Sequence, residues 1–379
     1  MVFSVLVLGT FLFPITMQKA EGKNEIPNQV EEFILNEIVN QSKSAIVIGL
    51  IDLNGTNTFS FGNMSKSNNV PVTPNTLFNI ASITKTFTTL ALAQMVNQGI
   101  VHLDDPIEKY LPSNVTVPQY NRTKITLEDL ATHTSGLPFM PSNIWTNNTM
   151  SDIDPNYNLS QLYQALSNTT LTTEPGTTFH YSDFGLGLLG HILTLQEGGI
   201  PYEQLVKKRI LDVLGMNDTK ITLSEEESMY NFPVGHLNGS EITTPKIPEV
   251  LAGAGAFRST VNDMLKYLSA NLGLLNTSLE DSMKLQQQIR HPGVTANPID
   301  YYEYVALGWR VLTDLRTEVI SHMGSINGWN SFIAFMPSKQ IGIVLLCSCD
   351  SDDANMSNLA FVLLGLADFD ILGNAQKIQ

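Results

Sequence analysis

Ser82 and Lys85 stand three residues apart in the stretch Phe78-Asn79-Ile80-Ala81-Ser82-Ile83-Thr84-Lys85-Thr86, at the mouth of an apolar helical segment. Positions i and i+3 share one helical face. The spacing therefore brings a nitrogen base within reach of a hydroxyl, the least equipment that turns serine into a nucleophile. If the helix starts near Ala81, Ser82 also sits where free backbone N–H groups and the positive dipole end favour a developing negative charge. Its own N–H can then serve an oxyanion hole. The plainer alternative is that Ser82 only caps the helix.

Two further stretches carry groups with chemical potential. In Glu174-Pro175-Gly176-Thr177-Thr178-Phe179-His180-Tyr181-Ser182-Asp183-Phe184-Gly185 a Pro-Gly turn leads through Tyr181 into a helix. A phenol beside a lysine has its pKa lowered and can relay protons to a leaving group. Alternatively, Tyr181 packs as an aromatic while Ser182 and Asp183 cap the helix. In Val319-Ile320-Ser321-His322-Met323-Gly324-Ser325-Ile326-Asn327-Gly328-Trp329-Asn330 a strand ends in a polar residue followed by glycine. Gly324 would let a ligand approach the backbone closely, and an acyl group could pair with the strand edge as an added strand. The alternative is a surface hairpin whose glycines serve the turn.

The elements that must position these groups follow from periodicity. Residues 27–41 read as an amphipathic helix and 45–52 as a buried strand, with an Asn54-Gly55 turn returning through 58–62 as its hairpin partner. A helix is expected over 83–97, stopped by Gly99. Helices separated by Pro-, Gly- and Asn-rich loops follow at 125–133, 160–167, 184–195, 201–213 and 261–272, the last capped by Ser259 or Thr260. Strands return at 305–313, 318–321, 329–336 and 341–347, before an apolar helix over 355–368. This order implies an α+β fold: one antiparallel sheet built from both chain ends, flanked by terminal helices, with a mostly helical domain inserted. The expected division is 27–102 and 252–370 for the sheet domain and 103–251 for the insertion.

Composition narrows the class. The 379 residues are 43% hydrophobic and only 15% charged, enough apolar material for a large core. Asp and Glu outnumber Lys and Arg by 36 to 21, a net charge of −15, and no basic stripe occurs, so a nucleic-acid partner is not expected. Residues 1–17 are apolar and uncharged before Lys19, which reads as a secretory signal or membrane anchor over residues 1–20, with Ala20 the best candidate for the last residue removed. Export is therefore expected, and sequons such as Asn40-Gln41-Ser42, Asn114-Val115-Thr116 and Asn238-Gly239-Ser240 would be acceptors in a glycosylating cell. The two cysteines, Cys347 and Cys349, alternate in a strand-like run; a bridge between extended i and i+2 positions is strained, so buried free thiols are expected. The seven histidines show no metal-ligand spacing, and no Gly-x-Ser-x-Gly elbow occurs. No metal or cofactor is implied.

Taken in order, the three stretches resemble the serine β-lactamase and penicillin-binding protein superfamily, in particular its class C β-lactamase, DD-peptidase and related esterase branch, which reads Ser-x-x-Lys, Tyr-x-Asn and Lys/His-x-Gly. Residues 127–138, 214–219, 252–257 and 304–310 look like secondary landmarks of the same family. The resemblance spans about residues 41 to 366. It implies Ser82 as the acylated nucleophile, with Lys85 and Tyr181 sharing the acid and base work. It also implies an oxyanion hole from the N–H groups of Ser82 and Ser325, and His322 holding a substrate carboxylate if protonated or hydrogen-bonding. Two departures matter. Asp183 replaces the family's Asn, putting an acceptor-only group where an amide donor is usual and favouring the ammonium form of Lys85. His322 and Met323 replace the Lys and hydroxyl residue usual in β-lactamases, which shifts weight toward peptidases and esterases. The expected function is an exported serine hydrolase acting through an acyl-enzyme on D-amino-acid peptides or β-lactams. A small-ester esterase of the same fold is the alternative, and a non-catalytic muropeptide-binding or scaffold protein stands behind it.

Overall fold

The strand-forming segments at the two ends of the chain are rich in Ile, Val, Leu and Phe, and they meet in one sheet. In the computed structural model, which describes residues 26–40, 44–146, 153–237, 239–244, 246–293, 302–314, 317–349 and 353–367 together with residue 372, eight antiparallel strands form that sheet. In chain order they are β1 (Ile46–Asp52), β2 (Gly55–Phe61), β3 (His291–Pro292), β4 (Tyr302–Val305), β5 (Arg310–Thr313), β6 (Glu318–Ile326), β7 (Trp329–Met336) and β8 (Ile341–Cys347). Their spatial order is β3-β4-β5-β6-β7-β8-β1-β2. The first strand of the chain thus pairs with the last, Ile46 opposite Cys347. The N-terminal apolar run, the sequon residues Gln41 and Ser42, and Asn238 lie outside the described residues.

Side chains alternate across the sheet because successive residues of a strand point to opposite faces. Ile46, Ile48, Phe332, Ala334, Ile343 and Leu345 face one way, where helix α1 (Asn28–Phe33), its continuation Ile34–Asn40 and the C-terminal helix Asp353–Leu363 cover them. Val47, Ile333, Phe335, Val344 and Leu346 face the other way, into the larger core. That core holds α2 (Thr84–Asn97), α3 (Leu127–Ala131), α4 (Asp183–Gln196) and α5 (Val261–Asn271). Gly49 is required here: a Cβ would stand 2.6 Å from Val261 Cγ1 and 2.9 Å from Val344 Cγ1, so its absence lets α5 lie against β1.

Three expectations are corrected. The segment 305–313 is not one strand: β4 and β5 run antiparallel, joined by a turn in which Gly308 has φ 69°. Strand β6 does not stop at Ser321 but continues through His322, Gly324 and Ser325 to Ile326, so those residues belong to a paired strand. Cys347 and Cys349 are not free thiols but a disulfide. The strand ends at Cys347, the chain leaves extended geometry, and the two Cα atoms come to 5.3 Å, inside the range a disulfide spans.

Candidate active site

Ser82 lies in a single 3-10 turn, Ala81–Ile83, that opens directly into α2. Ala81 has φ 42°, a left-handed value that costs a residue with a Cβ and marks a forced turn. The sheet holds this turn in place. Ser331 on β7 donates to the Ile80 carbonyl at 2.9 Å, and a Cβ on Gly324 would stand 2.3 Å from that same carbonyl. Gly324 therefore admits the backbone that precedes Ser82, rather than a ligand as its place in the sequence had implied.

One turn on, Lys85 is completely buried; its ammonium donates to Ser82 Oγ at 2.9 Å and the Ala254 carbonyl at 2.6 Å, and forms an ion pair with Asp183 Oδ1 at 2.8 Å. Small residues make this convergence possible. A Cβ on Gly187 of α4 would meet Leu251 Cδ2 at 2.5 Å, and one on Gly253 would meet the Leu186 carbonyl at 3.0 Å. The short helix Ala252–Gly255 can thus press between α4 and α2 and aim the Ala254 carbonyl at Lys85. Burial pulls the lysine pKa down, but Asp183 and then Tyr181 outweigh it, and the net shift is upward. Lys85 rests as an ammonium.

Tyr181 and Asp183 flank the start of α4. Ser182 caps this helix, its Oγ accepting from the Gly185 N–H at 2.9 Å and donating to the Pro138 carbonyl at 2.7 Å. The capping alternative therefore holds for Ser182, and the same cap aims its two neighbours into the site. Lys85 Nζ lies 4.8 Å from the Tyr181 ring centroid, and Tyr181 lines the smaller of two hollows beside Ser82. The lowered phenol pKa expected from the adjacent lysine does not occur. Burial raises it, the Asp183 charge adds to the rise, and Lys85 offsets only part, so the phenol stays protonated.

His133, a residue sequence reasoning left among the landmarks, positions the tyrosine. Its ring stacks on Tyr181 at 4.3 Å between centroids, and its Nδ1 accepts the Ser182 N–H at 3.0 Å. It has φ 60°, a conformation a histidine adopts only when its surroundings impose it. The signal available was its setting between threonines just before Ser135-Gly136, a turn in which Gly136 also has positive φ.

Two hollows meet at Ser82. One of about 330 Å³ runs between His133, Phe179, Trp309, Arg310 and His322. The other, about 790 Å³, opens past Met140, Trp145, Ile153, Ile247 and Leu251, with Lys246 on its wall. Ser82, Asp183, Ser325 and Phe139 line both. Arg310 is the second residue missed from sequence; its Nε is 2.6 Å from Glu303 Oε1, which fixes its guanidinium on the wall. His322 sits on the same wall with Nδ1 2.6 Å from the Met323 carbonyl. Burial first, then the Lys85 and Arg310 charges, push it down to about 3, so it is neutral near pH 7 and not the cationic carboxylate anchor one alternative required. Met323 packs against the opposite face of the sheet.

Comparison with known proteins decides what kind of molecule carries this geometry. The Beta-lactamase family model matches residues 42–366. The chain belongs to the β-lactamase family. It is 29% identical over 317 residues to the D-alanyl-D-alanine-carboxypeptidase/endopeptidase AmpH of Escherichia coli strain K12, covering 79% of this chain and 78% of that protein. It is 26% identical over 363 residues to a β-lactamase of the same strain, covering 85% and 89%. It is also 25% identical over 297 residues to Protein flp of Staphylococcus aureus strain MW2, covering 77% and 57%. A member of the β-lactamase family with these relatives is a serine hydrolase, and the α+β fold with its large antiparallel sheet agrees with that membership.

Proposed function

We propose that the chain hydrolyses D-amino-acid peptides or the related β-lactams through an acyl-enzyme on Ser82. The observation that carries this reading is the convergence of Ser82, Lys85 and Tyr181, distant in sequence, at the junction of two hollows. Ser82 Oγ attacks the scissile carbonyl carbon, and the backbone N–H groups of Ser82 and Ser325 receive the oxyanion. Because Tyr181 is a neutral phenol and Lys85 an ammonium, the proton moves by relay. The Tyr181 oxygen takes the Ser82 proton while its own proton passes to the leaving nitrogen, and Lys85 stabilises the negative charge that builds between them. The C–N bond breaks, the amine leaves, and water repeats the steps in reverse to free the acid and restore Ser82.

Two features support a peptide-like substrate. Arg310 gives the smaller hollow a cationic wall suited to the carboxylate of a C-terminal leaving group. The AmpH relative, named for its action on D-alanyl-D-alanine, is similar over most of the chain. The small-ester reading is favoured by one observation, the acceptor Asp183 where a β-lactam side-chain carbonyl would need a donor. Export is part of the proposal: the apolar run over residues 1–17 and the Cys347–Cys349 disulfide both fit an oxidising compartment outside the cytosol. Among the described residues no helix is long and apolar enough to cross a membrane. The test is intact-mass spectrometry after incubation with a penicillin and, separately, an activated ester. A mass increase in the native chain that is absent from Ser82→Ala supports the acyl-enzyme; no increase with either reagent rejects it.

A further inference from the structure

The carboxylate of Asp183 divides its two oxygens between different tasks. Oδ1 is shielded from solvent and lies 2.8 Å from Lys85 Nζ. The side chain nonetheless keeps 19% of its surface exposed, at the point where both hollows meet beside Ser82. The exposed oxygen is therefore Oδ2, an acceptor facing the position a substrate's acyl portion occupies. A carboxylate oxygen attracts N–H and ammonium donors and repels a carbonyl oxygen brought to the same place. The larger hollow beyond it is apolar on the Met140, Trp145, Ile153, Ile247 and Leu251 side, so it suits a hydrophobic side chain.

We infer that Asp183 is a specificity-determining residue that selects acyl donors with a free amino group next to the scissile carbonyl, hydrophobic aminoacyl amides and short peptides with an uncapped N-terminus, over their N-acylated counterparts. The inference rests on the serine hydrolase reading and narrows its substrate class. The amino group docks on Oδ2 while the side chain enters the apolar hollow, which places the carbonyl carbon over Ser82. An N-acyl group instead points its carbonyl at a carboxylate that cannot donate. Lys85 draws part of the charge from the carboxylate, but the exposed oxygen remains acceptor-only whatever the pairing of its partner.

The test compares D-phenylalanine p-nitroanilide with its N-acetyl derivative, using the full chain and its Asp183→Asn variant, with p-nitrophenyl butyrate as a neutral reference. The readout is the ratio of kcat/KM values for the two anilides within one protein, so any general loss of activity cancels. The native chain should prefer the free amine by roughly tenfold or more, the range of a hydrogen bond to a charged group. In Asp183→Asn that ratio should fall by a similar factor, because an amide can donate to the acetyl carbonyl. Equal or reversed preference in the native chain, an unchanged ratio in the variant, or cleavage of the butyrate with neither anilide turned over would each overturn the inference. Failure of the butyrate itself, with no fluorophosphonate adduct on Ser82, strikes the underlying hydrolase reading and is distinguishable from those results.

Discussion

The two faces of the sheet are built by opposite rules. On the face covered by α1 and the helix Asp353–Leu363, the buried contacts come from residues such as Val30, Ile34, Ile38, Leu345 and Leu359. On the other face, α2 buries a lysine and four threonines, Thr84, Thr86, Thr88 and Thr89, among its apolar neighbours. Thr88 bonds the Gly253 carbonyl at 2.7 Å, Thr89 the Leu307 carbonyl at 2.9 Å, and Gln286 donates to the Thr86 carbonyl at 2.6 Å. The first face is held by non-directional burial, which tolerates small displacements. The second is held by directional bonds that fix where Lys85 and the 306–309 turn sit. The buried ion pair in that interior is retained for its geometry, since replacing both partners together by apolar residues of similar size is often neutral or stabilising, whereas removing one alone is not.

The contrast breaks most sharply at Ser82. Ser82→Ala should abolish acyl-enzyme formation and lower turnover by at least about a thousandfold, while the melting temperature barely moves because the residue is only partly buried. A variant that retains full activity on any ester would remove the nucleophile from this face. The next test concerns the ion pair. Lys85→Met leaves the Asp183 carboxylate without its cation and should cost about 3–5 kcal/mol of stability, as for a buried pair that loses one partner. Lys85→Met combined with Asp183→Asn should recover most of that stability and none of the activity. Urea denaturation of the two variants measures it. Recovery of neither quantity would mean that Lys85 serves the fold through Ala254 more than through Asp183.

The apolar face should respond in the opposite sense. Leu359 is fully buried there, and Leu359→Ala should destabilise by about 2–4 kcal/mol through lost contacts and a cavity. Its kcat/KM at a temperature well below unfolding should stay within about twofold of the native value, the scatter ordinary for a site on the other layer. A loss of activity larger than the loss of folded protein would show that the two faces communicate through the strands between them.

What could be read from the sequence divides along the same line. The strands under the apolar face follow from near-continuous apolar runs in 45–52, 329–336 and 341–347, buried on both sides of the sheet, and they lie where those runs put them. The polar groups around Ser82 were legible as types and spacing, because a nucleophile, an amine and a phenol are rare in such order. What pattern could not reach was direction. No periodicity reveals that Gly324 makes room for the Ile80 carbonyl, that Gly308 breaks one apolar run into two strands, or that His133 stacks on Tyr181. Nor could local reasoning sign the shift on Tyr181, since desolvation by the whole fold outweighs one neighbouring ammonium. The cysteine pairing was missed for a related reason, as the strand ends between the two residues.

The smallest of these effects tests whether the polar face carries a cost of its own, and it is read through pH. His322 has its pKa pushed down to about 3 by burial and by the Lys85 and Arg310 charges, against an ordinary value near 6.5. The sign follows from proton uptake. Below pH 6.5 the unfolded chain protonates this histidine while the folded chain does not, so stability present above pH 6.5 is lost as pH falls toward 3. At pH 5 the contribution lost is about 2 kcal/mol, one and a half units at about 1.4 kcal/mol each. His133, held well below the usual range by burial and then by Lys85, His322 and Arg310, adds to the same acid limb. His322→Gln should therefore flatten the fall in urea midpoint between pH 7 and pH 5, whereas Leu359→Ala should lower the whole curve without changing its slope. If both variants shift the curve in parallel with the native chain, the acid sensitivity lies in the carboxylates of the surface and not in the histidines that line the site.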